Sequence, residues 1–326
     1  MFNPFDHYTI PLEGWLNDFI FWLTDNFRNF FLAIKTPVAL VMEWIETFLL
    51  WLNPVVFLVL LLFIAWRIAG WRVAVFSVVG AIFLGFLDLW EVTMTTLSMI
   101  ICAVAFCAAV GIPLGIIASR SNKFEAGLRP VLDVMQSIPS FAYLAPVALL
   151  FGIGDVPGIM ATIVFALPPI IRLTNLGIRQ VQRELVEAAY AFGATPRQVL
   201  WDIQIPLATR TIMAGLNQTL MLSLSMVVIA AIIGAGGLGD EVRTGLNNLQ
   251  PGQALAGGIG IVVLAIILDR ITQALAKTDE SGSRRSLAGW LANLFTSARR
   301  GPLETATAGG GGAGTPVSPS REETTV

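Results

Sequence analysis

Long apolar runs alternate along this chain with short polar interruptions, and the length of each run sets its reading. A helix needs about 20 predominantly apolar residues to cross roughly 30 Å of hydrocarbon. Seven runs meet or approach that length: 48–66, 71–89, 96–118, 131–151, 156–171, 208–233 and 253–275. Inside lipid each must satisfy its own backbone hydrogen bonds, so each is predicted to be a helix. The fifth run is short and interrupted by proline. Residues 27–47 read differently, because Arg28, Lys35, Glu43 and Glu46 break up an aromatic-rich stretch. That pattern predicts an amphipathic helix lying at the interface.

The charges orient these spans. With seven crossings, the loops at 67–70, 119–130 and 172–207 share one side with the C-terminus. Counting helix ends, that side carries Arg67, Arg72, Arg120, Lys123, Arg129, Arg172, Arg179, Arg183, Arg197, Arg210 and every basic residue from Arg270 onward. The opposite side has Arg28, Lys35 and Arg243, with Asp88, Glu91, Asp155, Asp240 and Glu241 among its acids. Positive charge stays inside, so the N-terminus is expected outside and the 172–207 loop in the cytoplasm.

Composition agrees: 55% of the 326 residues are hydrophobic and only 13% charged, far less charge than a water-facing surface carries. A net charge of -2 leaves no basic footprint for nucleic acid. Cys102 and Cys107 lie within one apolar run and read as small core residues, not as a disulfide or a metal pair. His7 is the only histidine, so no histidine-based metal or haem site is expected. The acidic, aromatic N-terminus lacks a basic leader, and no cleavable signal is expected. Residues 283–300 form a basic segment suited to the inner leaflet, and from 301 on Gly, Thr, Pro and Ser predict disorder.

The longest internal loop, residues 183–207, has its own local logic. Glu184 to Phe192 are good helix formers, and Gly193 suits the left-handed position that ends a helix. Thr195 is placed to cap a second helix, with Pro196 at its first position and Gln198 three residues after the cap. That second helix is expected to end before Pro206. Ala188, Ala189, Ala191 and Ala194 leave a small-residue surface, and Tyr190, Phe192 and Trp201 supply aromatic anchors of the kind enriched at interfaces.

Glu187-Ala188-Ala189, Gly193, Ile203 and Ile205-Pro206 resemble the EAA loop of permeases in ATP-binding-cassette importers. Ile205 departs from that pattern, which usually has Leu before the proline. In such permeases the loop is the coupling helix that sits in a groove on the ATPase. Those residues, together with Ala188 and Ala189, are therefore the candidate coupling site. No Gly-x4-Gly-Lys-Ser/Thr occurs and none of the three lysines follows a glycine, so ATP is not expected to bind this chain through a P-loop.

Over residues 10–278 the chain resembles most closely the permease of glycine betaine/proline betaine (osmoprotectant) importers. The resemblance is carried by Met135–Pro146, Phe165–Leu173, Gly215–Met226, Ile233–Gly239 and Ile266–Gln273. It implies an all-α integral membrane protein with about seven transmembrane helices and a type I, MetI-like permease core. The implied organisation is an extracytoplasmic segment 1–47, two accessory helices in 48–90, a core at 91–276 and a cytoplasmic tail 277–326. It further implies a homodimer in a bacterial or archaeal inner membrane, served by ATPase subunits and an extracytoplasmic solute-binding protein. ATP and magnesium would be held by the ATPase, leaving this chain without a cofactor and without catalysis.

A betaine is a small zwitterion, and a tight site for one would want an aromatic cage. None is evident within the spans, which suits a weak, transient path. Candidate path residues are Gln136, Ser140 and Tyr143 in the fourth span and Asn217 and Ser223 in the sixth. Polar groups in lipid face the bundle interior or a cavity, so each either lines the path or bonds between helices. Asp133 and Asp269 lie near cytoplasmic ends and are expected to meet arginine or headgroups. The Gly234–Gly239 run reads as a turn with close helix approach. Choline, carnitine or proline would suit the same machinery. A secondary transporter would call for inverted repeats or paired charges in mid-membrane, and neither is visible.

Overall fold

A computed structural model describes residues 11–278, and every regular element among them is helical. The expected basic segment 283–300, the tail beyond it and His7 lie outside the described residues. Helix α1, Leu12–Trp51, changes direction at Phe27 (φ −116°, ψ 19°) and runs on through Pro37. The helix is therefore longer than the 27–47 segment the charges marked, and it absorbs the first residues of the span expected from 48.

Asn53 ends the turn after α1, its side chain accepting the Val55 amide at 2.9 Å, and starts α2, Pro54–Ala69. Helices α1 and α2 meet at 106°. Gly70 then turns the chain into α3, Trp71–Phe86. Each of these two helices has 16 residues and is about 24 Å long.

The long helices are α4 (Trp90–Arg120), α7 (Asp155–Arg179), α10 (Ile205–Ala230) and α12 (Pro251–Thr278), the last preceded by the short α11 (Leu238–Asn247). Helix α7 packs between α4 and α10. It was expected to be short, yet it continues for 25 residues through Pro168 and Pro169. Neighbouring helices reach carbonyls of this stretch: Thr219 donates its hydroxyl to Ala166 at 3.0 Å, and the Cys107 thiol approaches the Ile163 oxygen at 3.7 Å. The carbonyls that the prolines leave without an amide are those of Val164 and Phe165, four residues earlier.

Close approach of α4 to α7 depends on a missing side chain. A Cβ at Gly115 would lie 2.5 Å from Thr174 Cβ and 2.8 Å from the Ile171 oxygen. Small residues at such contacts let helix backbones meet where lipid supplies no hydrophobic drive. Val38 and Met42 of α1 complete one core cluster with Met99, Cys102, Ile159 and Met226. Both cysteines are free and buried.

The fourth expected span, 131–151, is not one helix. It is α5 (Asn122–Ser137), a 3-10 turn (Ser140–Tyr143) and α6 (Leu144–Phe151), with the two arms at 104°. Pro139 disfavours a helical conformation at the residue before it, and Ile138 is extended (φ −69°, ψ 130°).

Among the described residues four helices are long and apolar enough to cross a membrane, or six if each bent pair counts as one span. The remaining expected span, 71–89, corresponds to α3, apolar but short.

Candidate functional site

The 183–207 segment folds as two helical pieces around one sharp turn. Helix α8, Arg183–Ala191, stops at a doubly bonded cap. Gly193 N–H donates to Tyr190 at 2.9 Å and Ala194 N–H to Ala189 at 3.0 Å, the pairing of a Schellman motif. Gly193 has φ +84°, a left-handed backbone that only glycine adopts freely. The second piece, α9 (Pro196–Gln198), opens on a reciprocal capping box. Thr195 N–H donates to Gln198 Oε1 at 2.8 Å, and Gln198 N–H returns to Thr195 Oγ1 at 3.4 Å.

The second helix does not end before Pro206, as its sequence predicts. A wide π-helical turn, Val199–Gln204, joins α9 to α10, with Ile205 N–H reaching back to the Leu200 carbonyl. Proline has no amide, and its ring crowds the carbonyl four residues earlier, here that of Asp202. Opening the turn by one residue relieves that crowding and keeps the helix continuous.

The exposed surface of this loop carries large aromatics among charged residues such as Glu184, Glu187, Arg197 and Asp202. Phe192 is 93% exposed and Trp201 62%, whereas Val199 is fully buried as its foot. Glu187, Ala188, Gly193 and Pro206 are exposed; Ala189, Ile203 and Ile205 are half-buried. A large aromatic standing free beside a small-residue face has the composition enriched at protein interfaces.

The candidate path residues are scattered among several packing roles. Gln136 is exposed in the last turn of α5, and Ser140 is half-buried at the break. Tyr143 bridges the break by donating its hydroxyl to the Met135 carbonyl at 2.7 Å. Ser223 is fully buried and donates to Thr219 of its own helix at 2.9 Å.

Asn217 donates to Asp269 Oδ1 of α12 at 3.1 Å, and Gln273 reaches both oxygens of that carboxylate at 2.7 Å. Asp269 thus meets amides here, where arginine or headgroups were expected. Asp133 does pair with Arg172, at 2.6 Å.

The glycine run at 234–239 is a turn with close contacts, as expected. Gly234 and Gly237 have φ of +81° and +78°. Asp155 Oδ1 accepts the Gly236 amide at 2.6 Å, and Thr96 Oγ1 accepts that of Leu238 at 2.8 Å.

The Arg172–Asp133 pair belongs to a wider cluster that joins α5 to α7. Arg179, Glu125, Arg129, Arg172 and Asp133 line a cleft of about 310 Å³ between α5 and α7. Glu125 accepts from Arg129 at 2.8 Å and from Arg179 at 3.1 Å. The Arg129 hydrogen bond holds the Glu125 carboxyl below its ordinary range; partial burial opposes this and the charge of Arg179 assists it. The expected meeting of Asp133 with arginine was the sequence signal for this cluster; the Glu125–Arg179 contact had none.

Residues 111–278 match the family described as binding-protein-dependent transport system inner membrane component. The chain is 48% identical over 284 residues to the glycine betaine/proline betaine transport system permease protein ProW of Escherichia coli (strain K12), covering 87% of this chain and 80% of that one. It is 43% identical over 277 residues to the glycine betaine/carnitine transport permease protein GbuB of Listeria monocytogenes, covering 84% and 98%. A chain from the inward-facing MetNI methionine ABC transporter shares the fold, with a TM-score of 0.53 at 22% identity over 59% of this chain and 95% of that one. With its bundle of long apolar helices and a family match over half its length, the chain belongs to the inner membrane components of binding-protein-dependent transport systems.

Proposed function

We propose that this chain is the permease subunit of an ATP-driven importer of glycine betaine and proline betaine. The observation that carries the cargo is the 48% identity with a betaine permease along 87% of the chain. The motor is a separate ATPase that holds ATP and magnesium and grips the 183–207 loop through Glu187, Ala188, Ala189 and Gly193, with Phe192 as the exposed anchor. Ile203, Ile205 and Pro206 belong to the turn that ties this handle to α10. The loop lies in the cytoplasm and the N-terminus outside, as the basic residues of the 119–130 and 172–207 loops favour.

Two copies of the chain form the pathway, and an extracytoplasmic binding protein delivers the solute. Residues 91–276 act as the core, with the helices of 48–90 as accessories. Gln136, Ser140, Tyr143, Asn217 and Ser223 are the proposed path residues; the first three surround the α5–α6 break, where freed backbone groups can meet a hydrated solute. Carnitine is the second cargo, on the strength of the 43% identical relative whose name includes it.

The test is uptake of labelled glycine betaine in a transport-deficient strain carrying this chain with its ATPase and binding protein. ATP-dependent uptake is expected. A complex that assembles and hydrolyses ATP, yet takes up neither betaine nor carnitine, overturns the cargo. Uptake that persists without any ATPase overturns the whole reading.

A further inference from the structure

Arg179 is the last residue of α7, and α8 begins at Arg183. Its guanidinium donates in four directions: Nε to Asn175 at 2.8 Å, Nη1 to Asn122 at 2.7 Å, and Nη2 to the Ala118 carbonyl at 2.8 Å and to Glu125 at 3.1 Å. Ala118 sits in the last turn of α4, where carbonyls lack helical partners. Asn122 and Glu125 lie in the first turn of α5. One side chain at the start of the 183–207 segment therefore holds the α4–α5 junction. At the other end of that segment, Gln204 accepts from Arg120 at 3.5 Å. Both roots of the loop attach to the same junction.

Helix α5 packs along one narrow face: Leu132 is its only buried residue, with Leu128 and Met135 half-buried against the same core cluster. Polar ties add to this, the Arg179 fork at its first turn, the Arg172–Asp133 pair further along, and the Tyr143 hydroxyl on the Met135 carbonyl. Beyond them α5 runs to the 104° break at Pro139. A helix packed on one face, gripped at its first turn and ending at a break can pivot as a lever.

We propose that Arg179 is a positioning residue that carries displacement of the 183–207 loop to α5, and through α5 to the break at Pro139. This rests on the reading of that loop as the ATPase handle. Only arginine offers a planar fork able to hold three elements together; a lysine presents one point charge.

The complete importer, reconstituted in liposomes with its ATPase and binding protein, provides the test. Betaine taken up per ATP hydrolysed is compared among wild type, R179K and R179Q. Losing charge-assisted bonds at the junction should lower that ratio about tenfold in R179Q, with R179K between the two. Spin labels at E184C and V134C should report an ATP-driven distance change in wild type that is altered in R179Q. If R179Q does not assemble, N122A/E125Q removes the α5 partners and leaves Arg179 intact, with the same expectation. An assembled R179Q or N122A/E125Q importer with the wild-type ratio overturns the proposal. A wild-type chain that never associates with an ATPase overturns instead the reading beneath it.

Discussion

The amide of Ala194 donates to the carbonyl of Ala189 at 3.0 Å, across a glycine whose φ is +84°. The last alanine of the Glu-Ala-Ala triplet and the residue after Gly193 are thus two ends of one cap. No atom lies within 4 Å of where a Cβ on Gly193 would stand. The demand for glycine is therefore conformational, about 1–2 kcal/mol for an ordinary L residue. Asparagine tolerates that backbone better than alanine, and a β-branched residue tolerates it least. Coupled uptake and amide-exchange protection across 188–195 should fall in the order Gly, Asn, Ala, Val. An order following side-chain bulk instead, with Asn worse than Ala, would point to a packing contact.

Pro206 is the second probe of the handle, because it explains the wide turn before α10. In P206A the new amide can reach Asp202 and the ring no longer crowds that carbonyl. The added hydrogen bond is worth about 1 kcal/mol, so the purified protein should melt no lower than wild type. Relaxing the turn would rotate α8 and α9 by about 100° relative to α10, and uptake per ATP should drop. Unchanged coupling in P206A would mean that the wide turn has no role in aiming the loop.

Local chemistry made the handle legible: Gly193, Thr195, Pro196 and Gln198 each do in the structure what short-range rules assign them. The same rules misjudged Pro206, because they count a proline as a stop and do not foresee a turn widened to admit it. Pro168 and Pro169 misled in the same way, since α7 carries both within one continuous helix. Hydropathy placed the long helices but drew 131–151 straight, although Pro139 was visible and only its consequence at Ile138 was missed. Arg179 was counted simply as an inside charge. Its partners, Ala118, Asn122 and Glu125, belong to helices that only the fold brings beside it.

Asp269 is half-buried and accepts from Gln273 one turn along its own helix and from Asn217 on the facing α10. Replacing it by leucine strands the Asn217 and Gln273 donors, at about 1–3 kcal/mol for each that remains buried. An asparagine there can still accept, and its amide can serve Asn217 Oδ1, which is buried without a partner. Melting in detergent should therefore rank wild type and D269N close together and D269L clearly below. D269L matching wild type would show that water reaches these amides and that the α10–α12 contact is looser than its hydrogen bonds imply.

Glu125 gives the junction a pH signature of definite sign. Its carboxyl is held below its ordinary value of 4.5, first by the Arg129 hydrogen bond and, against some burial, by Arg179. A lowered carboxyl pKa favours the folded state fully above 4.5, and that contribution is lost as pH falls through the lowered value. Wild type should thus keep a constant stability advantage over E125Q from neutral pH down to about 4.5, and the two should converge below it. Arg129 is 68% exposed, so its share is screened and small. Raising salt at neutral pH should trim the advantage, and whatever persists belongs to the Arg179 arm. In the R179Q background, that salt-resistant part should vanish. If E125Q costs as much with Arg179 as without it, the two residues act independently, and the fork at the α4–α5 junction does not bind as one unit.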